Sequence, residues 1–404
     1  MPDPRNWMER LPGTRRGRRS VLIHGEDELA GKRVPAGRLR RSDLTGPGLR
    51  RVRAGRGFRY LGADGKPVPP DVRDRVTGLV IPPAWKDVWI CPWPNGHIQA
   101  TGFDDAGRRQ YLYHPRWREK RDREKHDHVL DFAAALPGAR ELVAATLGGR
   151  GLTRERVLAA AVRLLDLGFF RVGGERYAED NGTYGLATLR REHARCARGE
   201  IVFEYPAKGG YERVQAVADP QVCRIVRQLR SRPADGDALF AYYQGRSWHR
   251  VHGSDINEYL KDLTGLDVSA KDFRTWNATV LAAVGLAVSP VSRASVSSRQ
   301  RAVARVVREV SEYLGNTPAV CRASYIDPRV IERYERGDTI AASLDRLGDT
   351  KPGALAIQGP IEEAVRHLLR PHSVTPARLR APAASVFPPR SSQALLVPLA
   401  SRRP

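Results

Sequence analysis

The chain has 404 residues, a formal net charge of +23 and a sequence pI of about 10.5. This length allows two domains with separate cores, and so strong a positive charge is typical of proteins that bind a polyanion, with nucleic acid the first candidate. No run of about 18 apolar residues is present, which argues against a membrane-spanning helix. The four cysteines form no CxxC pair, which argues against a zinc site and a disulfide framework.

The N-terminal segment 1–55 is rich in Arg, Gly and Pro and has little apolar periodicity, so the sequence predicts a disordered basic tail. Such a tail would raise non-specific affinity for DNA, although an upstream start codon would explain it equally well. The run RRGRRSVLI looks like a twin-arginine signal, but His24, Glu26 and Glu28 cut its apolar part short. We therefore expect no export, and a cytoplasmic, nucleoid-associated protein.

Strand-like segments separated by Gly-containing turns follow, so 56–131 is predicted to be a small, mainly β domain. The first turn is expected at Asp64–Gly65. The clearest strands are Trp89–Cys91, Ile98–Thr101 and Gln110–Tyr113. Alternation along the last of them puts Tyr111 and Tyr113 on one face, while Gln110 with its flanking arginines could read purine edges in a major groove. The two tyrosines could equally belong to the core of this domain.

A highly charged helix, WREKRDREKHDHVLDF, is predicted to join this domain to a mostly helical region. Thr153 begins a helix with an apolar face, and Arg171 follows the end of that helix. Further on, Ile201–Tyr205 and Tyr211–Val214 flank Lys-Gly-Gly and predict a hairpin with Lys208 near its tip. On position alone, an arginine at a helix end complements the helix dipole, and a hairpin lysine is usually solvated.

Two later segments carry polar side chains in settings that packing does not require. KDFRTWNAT places Arg274 near the start of a helix, in which Trp276 is expected to pack. In the stretch LGNTPAVCRASYIDP, Gly315 suits a helix C-cap and Pro318 the first residue of a short second helix. That helix would present Tyr325 near its end. Taken alone, a tyrosine in this position is usually a half-buried packing residue.

In chain order, Arg171, Lys208, Arg274 and Tyr325, with Asn316 nine residues before the tyrosine, resemble the active site of type IB DNA topoisomerases. The resemblance is to the compact bacterial and poxvirus-type branch. It implies an α+β fold, with a small, mainly β N-terminal domain and a larger, mostly α-helical catalytic domain of the tyrosine recombinase and topoisomerase IB type. It also implies relaxation of supercoiled duplex DNA through a 3′-phosphotyrosyl intermediate, without ATP, metal or other cofactor.

The same resemblance implies a role for each matched residue. Tyr325 would be the nucleophile, Arg171 and Arg274 would stabilise charge on the phosphoryl oxygens, and Lys208 would protonate the leaving 5′-oxygen. Asn316 stands where many relatives carry His, and it can donate a hydrogen bond but cannot transfer a proton. DNA contacts are expected from Gln110, Tyr111, Tyr113, Arg176, Tyr177 and Lys271.

Two other functions stay open on the sequence. A site-specific tyrosine recombinase shares this fold and chemistry, but it usually carries His at the position of Lys271. A non-catalytic basic DNA-binding protein would explain the charge but not the four motifs. No acidic cluster suited to Mg²⁺ and no nucleotide-binding motif is apparent. We expect a monomer bound to duplex DNA, with the catalytic domain at 132–340 and a largely disordered C-terminal extension at 341–404, apart from one helix at Glu362–Leu369.

Overall fold

The computed structural model describes residues 27–29, 32–34, 38–168, 170–197, 200–233, 236–289, 295–349 and 354–370. The chain divides into two units, Met1–Lys125 and His126–Pro404. The first unit is built on a β-sheet and the second is rich in helices, as the sequence predicted. The boundary falls inside one long helix, six residues before the predicted position. No helix in the described part of the chain has the length and apolar character needed to cross a bilayer.

The first unit contains a five-stranded antiparallel sheet in the order β4-β3-β5-β6-β7. A two-stranded pair, β1 and β2, precedes it in the chain. The elements are β1 Asp27–Leu29, β2 Lys32–Val34, β3 Leu49–Ala54, β4 Gly57–Leu61, α1 Pro70–Gly78, β5 Lys86–Ile90, β6 Ile98–Phe103 and β7 Arg109–Tyr113. Val76 of α1 packs with Ile81, Val88, Ile90 and Ala100 in the core of this unit. The strands predicted around residues 89, 99 and 111 are therefore confirmed.

The predicted tail of 55 residues is wrong for its last part, because β3 lies within it and pairs with β4 and β5. Strands β3 and β4 are joined by a turn at Gly55, whose φ is +58°. The predicted turn at Asp64–Gly65 follows β4 and is closed by a single bridge between Leu61 and Pro67 rather than by a second strand. Residues 1–26 lie outside the described residues.

In the second unit, other helices, a three-stranded sheet and a two-stranded sheet surround two buried helices, α3 and α7. Its elements are α2 Pro115–Leu147, α3 Arg154–Gly168, α4 Glu175–Asn181, β8 Ala194–Ala197, β9 Glu200–Ala207, β10 Tyr211–Ala218, α5 Pro220–Ser231, β11 Ala241–Gln244, β12 Ser247–Arg250, α6 Gly253–Thr264, α7 Ala270–Ala287, α8 Val296–Leu314, α9 Pro318–Ser324, α10 Pro328–Arg336 and α11 Pro360–Leu369. α3 and α7 are apolar on most sides, which is the pattern of helices surrounded by protein.

The predicted disordered extension from residue 341 contains the helix α11, which packs into the core of the second unit through Ile361, Val365 and Leu369. Its Glu362 accepts hydrogen bonds from Trp276 Nε1 at 2.8 Å and from the guanidinium of Arg140 at 2.6 and 2.9 Å. The predicted helix is therefore confirmed, whereas the C-terminal boundary at 340 is wrong because α11 belongs to this core. Residues 371–404 lie outside the described residues.

Candidate active site

The C-terminal end of α8 is where the predicted site residues meet. α8 ends at Gly315, which adopts φ +60° and closes the helix in the left-handed conformation that favours glycine. Helix ends leave main-chain carbonyls without intrahelical partners and carry a partial negative charge. Here three consecutive carbonyls are bound by three arginines: Tyr313 by Arg213, Leu314 by Arg274 at 2.9 Å, and Gly315 by Arg171 at 2.6 Å.

Asn316 is the next residue, and its side chain joins two of these arginines. Its Oδ1 accepts hydrogen bonds from Arg171 Nη2 at 2.5 Å and from Arg274 Nη2 at 3.0 Å. A guanidinium can only donate, so the amide oxygen must be the atom that faces both arginines. The Nδ2 group donates to no other group among the described residues. The amide therefore presents a donor beside two cations.

Tyr325 follows the last residue of the short helix α9, as the sequence predicted. The Thr317 side chain caps the start of α9 by accepting from Val320 N at 3.4 Å. The main chain after α9 is held to α7, because Thr279 Oγ1 donates to the Tyr325 carbonyl at 3.3 Å and accepts from Asp327 N at 3.1 Å. The Tyr325 ring is half-buried, and the Arg274 guanidinium carbon lies 5.2 Å from its centroid.

The charges of this cluster change the acidity of its members. Burial acts to raise the pKa of Tyr325, but the charges of Arg274, Lys271 and Arg171 and a hydrogen bond from Arg274 outweigh it, so the pKa lies below its ordinary value. Burial and the charge of Arg274 lower the pKa of Arg171 to about 10. Arg274 is only 4% exposed, and its burial lowers its pKa as well. The cluster is a buried, mutually repelling set of cations beside a phenol.

Two of the predicted basic residues, Lys271 and Lys208, are exposed. Lys271 is exposed in the first turn of α7, one turn before Arg274, and its charge reaches Tyr325. Lys208 is exposed in the turn between β9 and β10, followed by Gly209 and Gly210 with φ of +92° and +76°. The structure gives no contact between Lys208 and the arginine cluster within the described residues.

The remaining predicted DNA contacts lie away from this cluster in the sequence. On β7 of the first unit, Tyr111 and Tyr113 stack with ring centroids 6.0 Å apart, and Tyr111 is exposed. The Gln110 amide donates to Asp104 Oδ2 at 2.8 Å, on the opposite face of the strand. Arg176 and Tyr177 belong to α4, and their side chains lie outside the described part of the structure.

Sequence reasoning missed Arg213, which shares the α8 terminus with the predicted residues. The signal for it was weak, since an arginine on a hairpin strand is ordinarily solvated. Its partner, the Tyr313 carbonyl, lies 100 residues further along the chain. The described residues contain no group of three or more His, Cys, Asp or Glu side chains placed to hold a metal ion.

Comparison with known proteins gives two family matches that together extend over most of the chain. Residues 114–347, more than half of the chain, match the family model described as the catalytic core of eukaryotic DNA topoisomerase I. Residues 57–104 match the N-terminal domain of bacterial DNA topoisomerase IB.

Individual relatives agree with these matches. The DNA topoisomerase 1B of Acanthamoeba polyphaga mimivirus is 27% identical over 297 residues, which is 71% of this chain and 88% of the relative. The DNA topoisomerase I of Monkeypox virus is 20% identical over 232 residues, which is 57% of this chain and 71% of the relative. A shorter match, 31% identical over 142 residues, is to DNA topoisomerase 1 of Schizosaccharomyces pombe and includes 34% of this chain and 16% of that protein.

Proposed function

The chain belongs to the type IB DNA topoisomerase family, and from that premise we propose that it relaxes supercoiled duplex DNA by cutting and resealing one strand through Tyr325. The observation that carries this assignment is the convergence of a phenol of lowered pKa, two arginines and an amide at one helix terminus. We also propose that the second unit has the catalytic fold of the tyrosine recombinase and topoisomerase IB type.

Tyr325 attacks the scissile phosphate. Its phenol loses a proton to water, its oxygen forms a bond to phosphorus, and the bond from phosphorus to the 5′-oxygen breaks. The lowered pKa increases the fraction of phenolate at neutral pH. The 3′-phosphotyrosyl bond keeps the energy of the phosphodiester, so the free 5′-hydroxyl can reverse the reaction after the strand has rotated. The cycle therefore needs no ATP.

Arg171 and Arg274 stabilise the negative charge that grows on the non-bridging oxygens. Their guanidinium groups are held by main-chain carbonyls and by Asn316 before any substrate arrives. Preorganised donors of this kind are among the largest contributions to catalysis. Asn316 adds a neutral donor through Nδ2 and transfers no proton.

Lys208 donates the proton that the leaving 5′-oxygen takes up. An alkoxide is a poor leaving group, so a general acid at this position accelerates cleavage, typically by about 10²–10⁴-fold. The turn that carries Lys208 contains two glycines, which lets the ammonium group adjust to the bound strand. During resealing the neutral amine takes the proton back from the 5′-hydroxyl.

DNA binding completes the proposal. The stacked, partly exposed rings of Tyr111 and Tyr113 provide a flat surface for the duplex. Gln110 reads a base edge by exchanging its hydrogen bond with Asp104 for one with the base. Lys271 contributes a phosphate contact and a positive potential at Tyr325, and Arg176 and Tyr177 are assigned secondary contacts. We further propose that the chain acts as a monomer on duplex DNA in the cytoplasm, at the nucleoid.

Relaxation of a supercoiled plasmid in excess EDTA and without ATP tests this function. Wild-type protein is compared with Tyr325→Phe at equal DNA occupancy, measured by a binding assay. We expect relaxation by the wild type alone, since the variant keeps the ring but has no nucleophilic oxygen. Relaxation by Tyr325→Phe would remove Tyr325 from the mechanism. Wild-type protein that binds but does not relax the plasmid would instead favour recombination at a special site or DNA binding without catalysis.

A further inference from the structure

Arg213 connects the hairpin of Lys208 to the arginine cluster. It lies on β10 directly opposite Tyr205 of β9, and its Nη2 donates to the Tyr313 carbonyl at the end of α8. Its Nε donates to Gln215 Oε1 at 3.3 Å, and the same oxygen accepts from the Tyr205 hydroxyl at 3.3 Å. One side chain therefore joins both strands of the hairpin to the turn that orients Asn316.

The surroundings of Arg213 are electrostatically unfavourable for an arginine whose side chain only packs. Arg213 is half-buried, and burial together with the charge of Arg274 lowers its pKa. It forms no salt bridge with any carboxylate of the described residues. A half-buried cation among like charges destabilises the folded chain unless an anion or hydrogen-bond acceptors compensate it. An anion such as the DNA phosphate would relieve the repulsion, and the side chain also fixes the geometry of two catalytic segments.

Arg213 lies close to the turn that carries Lys208. Ala207 pairs with Tyr211 as the last pair before the turn. Arg213 therefore lies only two residues from the turn, roughly 7 Å along strand β10. Within that turn Gly209 and Gly210 have positive φ, and the tip has few restraints of its own. On the β10 side the hairpin is fixed to the site by the bond from Arg213 to the end of α8, while the β9 side is held by the Tyr184 N–H bond to the Pro206 carbonyl at 2.8 Å and by the buried Tyr205 and Ala207.

We propose that Arg213 is a positioning residue for proton transfer: it fixes the Lys208 turn relative to the helix end that holds Arg171, Arg274 and Asn316. The inference rests on the proposed role of Lys208 as general acid. Without Arg213 the arginine cluster keeps its own carbonyl partners, while Lys208 loses its alignment with the 5′-oxygen.

A substrate that needs no general acid separates this role from a structural one. In a duplex whose scissile 5′-oxygen is replaced by sulfur, the leaving group is a thiolate, whose conjugate acid has a pKa of about 8.5 in the case of cysteine. Single-turnover cleavage of the oxygen and sulfur duplexes is measured for wild type, Arg213→Ala, Arg213→Lys and Lys208→Ala. Arg195→Ala is the matched control, because Arg195 is an exposed arginine of the same sheet that bonds only Glu204 among the described residues.

We expect Arg213→Ala to cleave the oxygen duplex about 10²-fold more slowly than wild type, as a misplacement of about 1 Å would produce. The same variant should cleave the sulfur duplex at close to the wild-type rate, as should Lys208→Ala. Arg213→Lys should recover part of the rate on oxygen, because it keeps one donor for the carbonyl, and Arg195→Ala should match wild type on both.

The outcomes are distinguishable. If Lys208→Ala is rescued by sulfur but Arg213→Ala is equally slow on both duplexes, Arg213 acts on the phosphate or on the fold and the proposal is overturned. If Lys208→Ala is not rescued, its role as general acid fails, and the inference fails with it. Should Arg213→Ala not fold, the ratio of oxygen to sulfur rates for Arg213→Lys decides the question, and a ratio equal to that of wild type overturns the proposal.

Discussion

Replacing Asn316 with Asp should stabilise the protein while it inactivates the site. The amide oxygen of Asn316 accepts hydrogen bonds from Arg171 and Arg274, and a carboxylate of the same shape can keep both. The exchange adds a negative charge between two cations whose pKa values are lowered by burial and, for Arg171, by the charge of Arg274. It also removes the Nδ2 donor that the proposed mechanism directs to the phosphate.

The two effects have different magnitudes and opposite signs. Hydrogen bonds to charged groups contribute about 1.5–3 kcal/mol each, so Asp should be at least as stable as wild type, whereas Ala loses both bonds. In catalysis, a carboxylate roughly 4 Å from a negatively charged phosphoryl oxygen raises the energy of the transition state by about 4 kcal/mol at an effective dielectric constant near 20. This repulsion corresponds to a decrease in the cleavage rate of about 10³-fold. Asn316→Ala loses only one donor, and such losses lower the rate by about 10²–10³-fold.

Single-turnover cleavage and urea unfolding of the same three proteins test this reasoning. Cleavage should fall from wild type through Asn316→Ala to Asn316→Asp, while the unfolding midpoint should be lowest for Asn316→Ala. Asn316→His, which keeps an N–H donor, should cleave faster than Asn316→Ala. An Asp variant that cleaves as fast as the Ala variant would refute the idea that the phosphate meets this side chain.

Two further predictions concern Lys271 and Glu362. Removing the Lys271 charge should raise the pKa of Tyr325 toward its ordinary value. As the pH is lowered, the cleavage rate of Lys271→Ala should therefore begin to fall at a higher pH than the cleavage rate of wild type. A pH profile of single-turnover cleavage checks this; Lys271→Arg should keep the wild-type profile, and an unchanged profile for Lys271→Ala would contradict the electrostatic account. Glu362→Ala leaves Trp276 Nε1 without its acceptor and weakens the pairing of Arg140, so it should lower the free energy of unfolding by about 3–5 kcal/mol. Urea unfolding measures it, with the exposed Glu363→Ala as control, and equal stability of the two variants would show that α11 does not hold α7.

The residues to which we assign the chemistry were the most predictable part of the site. Arg171, Arg274 and the pair Asn316 and Tyr325 lie in three separate segments whose order and spacing were visible in the sequence, and the fold brings their side chains together. Gly315 caps the end of α8 and Pro318 begins α9, as the sequence indicated, because helix ends depend on the residue itself and its nearest neighbours.

The parts that were missed depend on partners distant in the sequence. β3 reads as basic tail because it carries Arg50, Arg51 and Arg53, yet Arg51 donates to the carbonyls of Ile81, Pro82 and Trp85. Glu362 looks like a solvated acid until α2 and α7 supply Arg140 and Trp276. Arg213 belongs to the same class. In each case a polar residue is buried by satisfying a group that only the folded chain brings near it.

The most direct test of the central claim is to locate the covalent bond. Wild-type protein is incubated with a duplex in EDTA and denatured with detergent during cleavage, and the adduct is digested with protease for peptide mass analysis. We predict that the nucleotide remains attached through its 3′-phosphate to the peptide containing Tyr325. A 5′-phosphate linkage, or an adduct on another tyrosine or on a serine, would contradict the account.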